Sequence, residues 1–172
     1  HRQKNKPSQR AYAVVSGAGS GIGRSFALEL AKRGGDVICA DIDLSSAQET
    51  VDLIQSMTST SAYAVHCDVG LKESVHALVE QAEQLLGHPV TLLINNAGVG
   101  LGGKFDEVSL EDWQWCMHVN LWGVIHGCHY FVPKFKQQGF GAIINVASAA
   151  GYTAAPEMTA YNVTKSSVLA LS

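Results

Sequence analysis

The sequence predicts an α/β fold, a doubly wound parallel sheet with helices on both faces. Three observations carry that expectation. Five short runs rich in Val, Ile and Ala lack the polar alternation of a strand with one wet face, helical patterns fall between them, and a glycine-rich turn joins the first run to the first helix.

The runs cover 11–15, 36–40, 62–66, 90–95 and 142–147. Strand alternating with helix implies right-handed crossovers, so neighbouring strands run parallel. The first helical pattern, 23–33, stops at Gly34-Gly35, which accept the left-handed backbone of a helix end. Patterns at 45–57 and 72–86 follow, the second closed by Gly87. A long helix is expected from Ser109, where Ser-Leu-Glu-Asp has the form of a capping box, to about Gln137. The last begins around Thr159 and is still running at Ser172. Residues 1–10 are basic and lack apolar positions, so they read as a flexible N-terminal arm, leaving 11–172 as one domain.

Composition excludes several function classes. With 47% apolar and 16% charged residues in 172, the chain can bury a core and is not disordered. A net charge of −3 gives no electrostatic reason to expect a nucleic-acid partner. No apolar run reaches the roughly 18 residues of a membrane span, and no signal-peptide pattern opens the sequence. Cys39, Cys67, Cys116 and Cys128 form no CxxC pair and sit in apolar stretches, as buried reduced thiols of a cytoplasmic protein would. His118, His126 and His129 share the long helix with two of them. His126 and Cys128 do not share a face, and no HExxH is present, so no metal site is expected. Trp113, Trp115, Trp122, Tyr130 and Phe131 on that helix read as core packing on one side and an oligomer contact on the other.

The chemistry concentrates at strand ends. In Ser16-Gly17-Ala18-Gly19-Ser20-Gly21-Ile22-Gly23, the residues Gly17, Gly21 and Gly23 permit a sharp turn, and a pyrophosphate would meet the helix N-terminus beside Ser20 and Ile22. The spacing Gly-x-x-x-Gly-x-Gly is neither GxGxxG nor a P-loop. Asp41 ends the second strand, where a carboxylate accepts both hydroxyls of an adenosine ribose and repels a 2′-phosphate. Ile42 after it supplies no cation, which favours NAD over NADP. Asp68-Val69 closes the third strand and Asn95-Asn96-Ala97-Gly98 the fourth. Each alone is an ordinary turn. Together with Asp41, Ser148 and the glycine turn they all lie at carboxyl ends of strands, where open α/β sheets bind ligands.

Ser148 follows the fifth strand, and Tyr161 and Lys165 are four apart on the last helix, so phenol and ammonium share a face. A free tyrosine titrates near pH 10, and a nearby cation favours its phenolate. Lowering that value by about three units takes about 4 kcal/mol, within reach of one desolvated lysine and a nicotinamide cation. Such a tyrosine exchanges a proton with a substrate oxygen that Ser148 would hold.

The glycine turn with Ser16 in place of Thr, the Asn-Asn-Ala-Gly element, Ser148 and Tyr-x-x-x-Lys together resemble the short-chain dehydrogenase/reductase family, single-domain subtype, from Tyr12 onward. The resemblance implies a Rossmann-like fold and an oxidoreductase moving hydride between NAD(H) and a secondary alcohol or ketone. Ser148, Tyr161 and Lys165 would be catalytic, with Asn120 as a fourth residue holding a water that links Lys165 to solvent. Asp68 would bond the adenine amine, and Asn96, Ala97 and Gly98 would support sheet and cofactor. The long helix and the Tyr161 helix would build a homodimer or homotetramer interface. The apolar balance of 149–158, one expected pocket wall, leans toward a hydrophobic substrate.

The family pattern adds two strands and a substrate-covering helix after Tyr-x-x-x-Lys. The chain is therefore expected to be truncated there, the native protein continuing for about 70–120 residues. Strand 142–147 would then be an edge, and these residues alone poorly soluble or inactive. Two rival readings remain: a regulator that binds dinucleotide without turnover, and an inactive truncated partner subunit.

Overall fold

The computed structural model describes residues 6–172, so the first half of the expected N-terminal arm lies outside the described residues. The other half turns back on itself: the Gln9 N–H donates to the Lys6 carbonyl at 2.9 Å, and the Arg10 N–H to the Arg33 carbonyl at 3.2 Å.

Five strands form one parallel sheet: β1 (Tyr12–Ser16), β2 (Asp36–Asp41), β3 (Ala62–His66), β4 (Leu92–Asn95) and β5 (Ala142–Asn145), in the order β3-β2-β1-β4-β5. The order reverses at β1, where β2 leads one way and β4 the other. That switch point opens a crevice at the carboxyl ends of the strands. Val14 lies opposite Ile38 on one side and Leu93 on the other.

Helices α1 (Gly21–Lys32) and α2 (Leu44–Met57) cover one face. Ala27, Leu30, Val51 and Ile54 pack there on Ala13, Val15, Val37 and Cys39. Helices α3 (Lys72–Leu86) and α5 (Gly123–Gln138) cover the other, where Leu78, Val79, Phe131 and Phe135 meet Val14, Ile38 and Leu93. Neighbouring residues of one strand thus enter opposite cores, which is why the strand sequences show no polar alternation. Fully burying a Val, Leu or Ile side chain contributes about 1.5–3 kcal/mol, and both layers are built from them. Helix α6 (Thr159–Leu171) packs on α4 (Leu110–Met117) and on the turn that follows it.

Several boundaries differ from the sequence expectation: β1 is shifted and β2 and α2 are extended by one residue, and α1 begins two residues early, at Gly21. The long helix is not regular: Ser109 caps α4 through the Asp112 N–H, but a π-helical turn at His118–Trp122 separates α4 from α5. The wider turn places the Asn120 carboxamide inside, where it finds hydrogen-bond partners. Strand β4 begins at Leu92, because the Thr91 hydroxyl accepts the Tyr12 N–H. Strand β5 ends at Asn145, because the Val146 carbonyl is taken by Lys165 Nζ at 2.8 Å. Among the described residues, no helix is long and apolar enough to cross a membrane.

Candidate functional site

A cleft of about 720 Å³ opens at the switch point and runs from Asp41 to Tyr161 and Lys165. Gly17, Ser20, Gly21 and Ile22 line it, as do Asp41, Ile42, Asp68 and Val69 from the neighbouring strand ends. Asn96, Ala97 and Gly98 complete the floor.

The glycine turn is built without slack. Gly17 has φ +65°, and a Cβ there would stand 2.8 Å from the Ala97 Cα. A Cβ on Gly23 would press into the Gly17 carbonyl. Gly23 therefore works behind the cleft, letting α1 approach β1, and does not line it. Ser16 ties this turn to the β4 loop: its hydroxyl donates to the Ile94 carbonyl at 3.4 Å and accepts the N–H groups of Asn96 and Ala97 at 3.0 and 3.1 Å. Serine in the threonine position thus keeps the contacts that need a hydroxyl. Asn96 Nδ2 returns the link, donating to the carbonyls of Ser16 and Gly17.

Helix α1 begins at Ser20 with no side-chain cap and no acidic residue in its first turn. Its leading N–H groups are therefore donors without a protein side chain to meet them. Gly21 (φ +52°) leaves open space where a Cβ would stand. An uncapped helix start beside open space is the geometry that receives a pyrophosphate. By contrast, α2 is capped by Asp43, whose carboxylate takes the Ser46 N–H and hydroxyl, contacts that hold its pKa below the ordinary carboxylate value.

At the β2 end of the cleft, Asp41 Oδ2 accepts the Gly19 N–H at 2.8 Å and Oδ1 accepts the Asp43 N–H at 3.0 Å. Val69 is held from behind: its carbonyl meets His126 Nδ1 at 2.9 Å, and its side chain fills the space left by Gly123.

At the other end, Lys165 is buried and its Nζ lies 5.8 Å from the centre of the Tyr161 ring. Burial pushes its pKa below that of a free lysine, a shift partly opposed by Cys116. Asn120 does not line the cleft. Its Oδ1 accepts the Val99 N–H at 2.7 Å, and its Nδ2 donates to the Val99 carbonyl at 2.8 Å and to Thr164 Oγ1 at 3.2 Å. The carboxamide staples the loop after β4 to α6. Ser148 sits just past the lining residue Ala147, and its hydroxyl accepts the Ala150 N–H at 3.2 Å, capping a short 3-10 turn.

A family model described as short chain dehydrogenase matches residues 11–172. This chain belongs to that family. It is 39% identical over 160 residues to a cyclohexanol dehydrogenase of Acinetobacter sp. strain SE19, covering 92% of this chain and 63% of the relative. It is 37% identical to an uncharacterized oxidoreductase of Thermotoga maritima, covering 92% of this chain and 61% of that one. Among solved structures, a short-chain dehydrogenase/reductase from Burkholderia phymatum in complex with NAD superposes with a TM-score of 0.91 at 39% identity, over 96% of this chain and 59% of that one. An NAD+-bound xylitol dehydrogenase superposes with a TM-score of 0.90 at 28% identity, over 96% and 64%. The chain thus spans about three fifths of the length of these relatives.

Several cleft residues escaped the sequence reading. Val99 and Val119 add apolar surface to the cleft, whereas Met158 belongs to the expected wall 149–158 and is the residue of that segment that lines it. Trp115, expected in the core or at an oligomer contact, lines the cleft and is 48% exposed. Helical periodicity cannot tell a core face from a cleft face when the helix turns through a π segment. Arg24 was also missed: its guanidinium reaches across to Gly19, Ser46, Glu49 and Thr50. Cys39, Cys67 and Cys116 are buried and Cys128 half-buried, all as free thiols. Among the described residues, no three His, Cys, Asp or Glu side chains gather as a metal-binding group.

Proposed function

We propose that this chain forms the cofactor-binding and proton-transferring part of an oxidoreductase that interconverts a hydrophobic secondary alcohol and its ketone, with NAD as cofactor. The observation that carries this reading is one cleft that joins an uncapped helix N-terminus and a ribose-competent carboxylate at one end to a Tyr–Lys pair at the other. The NAD-bound state of two similar structures supports the choice of cofactor.

The residues fit the group. The N–H groups at the start of α1 would hold the pyrophosphate, Asp41 the adenosine ribose, and Asp68 and Val69 the adenine. NAD, when bound, supplies the hydride acceptor. Lys165 would set the nicotinamide end and keep positive charge beside the Tyr161 phenol. Tyr161 takes the proton from the alcohol oxygen at Oη, or returns it in the reverse direction. Ser148 would reach the same oxygen by releasing the Ala150 N–H, a weak neutral contact. Trp115, Met158 and Val99 would bury the apolar body of the substrate.

The test is absorbance of the reduced nicotinamide with a panel of secondary alcohols. Tyr161→Phe should retain NADH binding while turnover falls by roughly 10²–10⁴-fold. Undiminished turnover in that variant refutes the reading.

A further inference from the structure

We propose that Arg24 is a positioning residue for the adenosine end of the cleft, setting NAD-over-NADP selectivity by fixing Asp41 through Gly19. The inference rests on the function proposed above and extends it to a residue outside the glycine spacing.

Arg24 lies one turn into α1, and its guanidinium spans from the glycine turn to α2. Its Nη2 donates to the carbonyls of Gly19 and of Ser46, the latter at 3.3 Å, and pairs with Glu49 Oε2 at 3.0 Å. Its Nε donates to Thr50 Oγ1 at 2.9 Å, and the Thr50 hydroxyl, fully buried, donates to the Ala18 carbonyl at 2.8 Å. The Ala18 carbonyl is therefore held by Thr50 of α2 and the Gly19 carbonyl by Arg24 of α1. The Gly19 N–H points at Asp41 Oδ2, 2.8 Å away. One residue thus carries the guanidinium on its carbonyl and the ribose-competent carboxylate on its amide.

There is little room for error. A Cβ on Gly19 would stand 2.8 Å from both Asp41 Oδ2 and Ser46 Cβ. A shift of the turn moves the Asp41 carboxylate with it. Arg24 also places a cation near a ribose pocket that rejects a 2′-phosphate. Its Nε and Nη2 are committed to two carbonyls, a hydroxyl and Glu49, and these contacts fix the turn whose Gly19 N–H meets the Asp41 carboxylate. Lysine cannot reproduce this fork, because its three donors radiate from a single nitrogen and cannot span Thr50 on one side and Gly19 and Glu49 on the other as Nε and Nη2 do.

The experiment measures dissociation constants of NADH and NADPH by fluorescence titration, with thermal unfolding of the cofactor-free protein alongside. Arg24→Met should weaken NADH binding by roughly tenfold and narrow the NADH preference, and Arg24→Lys should not restore it. In an Asp41→Ala background the same Arg24→Met change should cost less than about threefold, because both act through one contact. If Arg24→Met folds poorly, Thr50→Val removes only the hydroxyl bridge and should narrow the preference in the same direction by a smaller factor. A wild-type protein that binds no NADH overturns the proposed function and this inference with it. Wild-type binding with an unchanged NADH-to-NADPH ratio in Arg24→Met and Thr50→Val, or losses that multiply in the double variant, overturns this inference alone.

Discussion

Lys165 Nζ donates to the Val146 carbonyl at 2.8 Å while standing 5.8 Å from the centre of the Tyr161 ring, so one ammonium anchors α6 to the end of β5 and charges the space beside the phenol. Lys165→Met keeps the bulk and removes both roles. Turnover should fall by at least 10²-fold. Burial lowers the Lys165 pKa below 10.5, so the ammonium is lost as pH rises through that lowered value. The rate should therefore decline on the alkaline side before pH 10.5. For stability the sign is opposite: between the lowered value and 10.5 the unfolded chain binds more protons, so this residue's contribution rises with pH. A pH–rate profile identical in wild type and Lys165→Met would remove Lys165 from the chemistry.

Asn120 tests whether the carboxamide acts as a staple. Asn120→Leu leaves the N–H and carbonyl of the half-buried Val99 without their partner. Each orphaned group costs about 1–3 kcal/mol. A total near 3 kcal/mol would lower Tm by about 6–12 °C for a chain of this size. Calorimetry on the cofactor-free protein checks it. A variant with wild-type Tm and lost turnover would instead favour a direct part in proton relay.

The Gly23 contact makes a sharper case. A Cβ there meets the Gly17 carbonyl, a backbone atom that cannot swing aside, and comes within 2.5 Å of Asn96 Nδ2. Gly23→Ala should therefore push α1 off β1, lose NADH binding and lower Tm together. Gly21→Ala is the control on packing in the cofactor-free protein: no protein atom lies within 4 Å of its Cβ, so its cost to Tm is confined to the positive φ, about 1 kcal/mol. Equal behaviour of the two variants would contradict the close packing of the turn.

The contrast between these glycines shows how far the sequence could be read. All five strands, the glycine turn and the Tyr161–Lys165 pair were legible, because each depends on local pattern: apolar runs without alternation, glycine spacing, and two side chains four apart on one helix. Asp41 was legible for the same reason, as a carboxylate at a strand end. Gly23 and Asn120, expected from the sequence as a cofactor-binding and a catalytic residue, both lie behind the cleft, and no spacing distinguishes lining from support. The π turn at His118–Trp122 was invisible because it is stabilised by contacts of Asn120 with Val99 and Thr164, residues 21 and 44 positions away. Arg24 was missed likewise, since its partners on α2 are distant in sequence.

Trp115 carries a prediction about substrate size. It lines the cleft with Met158 and Val99, and nearly half of its surface is free for a ligand. Removing the indole should raise KM for a bulky cyclic alcohol by roughly tenfold or more, from the lost apolar contact, with less change for a short alcohol. Trp115→Phe should recover most of the difference. A KM that rises equally for large and small substrates would place Trp115 in general packing.

The last prediction concerns alkaline stability and the buried thiol of Cys39. Burial pushes its pKa up to about 12, against 9.0 for a free thiol, although the nearby Arg24 charge partly opposes the shift. A folded thiol with a raised pKa stays protonated while its unfolded counterpart ionises. Its contribution to stability is thus complete below pH 9 and is lost as pH climbs toward 12, at about 1.4 kcal/mol per pH unit. Cys67, pushed up to about 11 chiefly by burial, follows the same direction, and Lys165 runs against them. Comparing wild type with Cys39→Ala cancels those two groups. The alanine variant loses some packing at every pH, but it escapes the ionisation penalty. Its stability deficit in urea unfolding should therefore shrink between pH 9 and 10.5, by about 2 kcal/mol at the upper end. Parallel curves over that range would mean that the Cys39 thiol ionises as readily in the fold as in the open chain, contrary to its place in the core beneath α1 and α2.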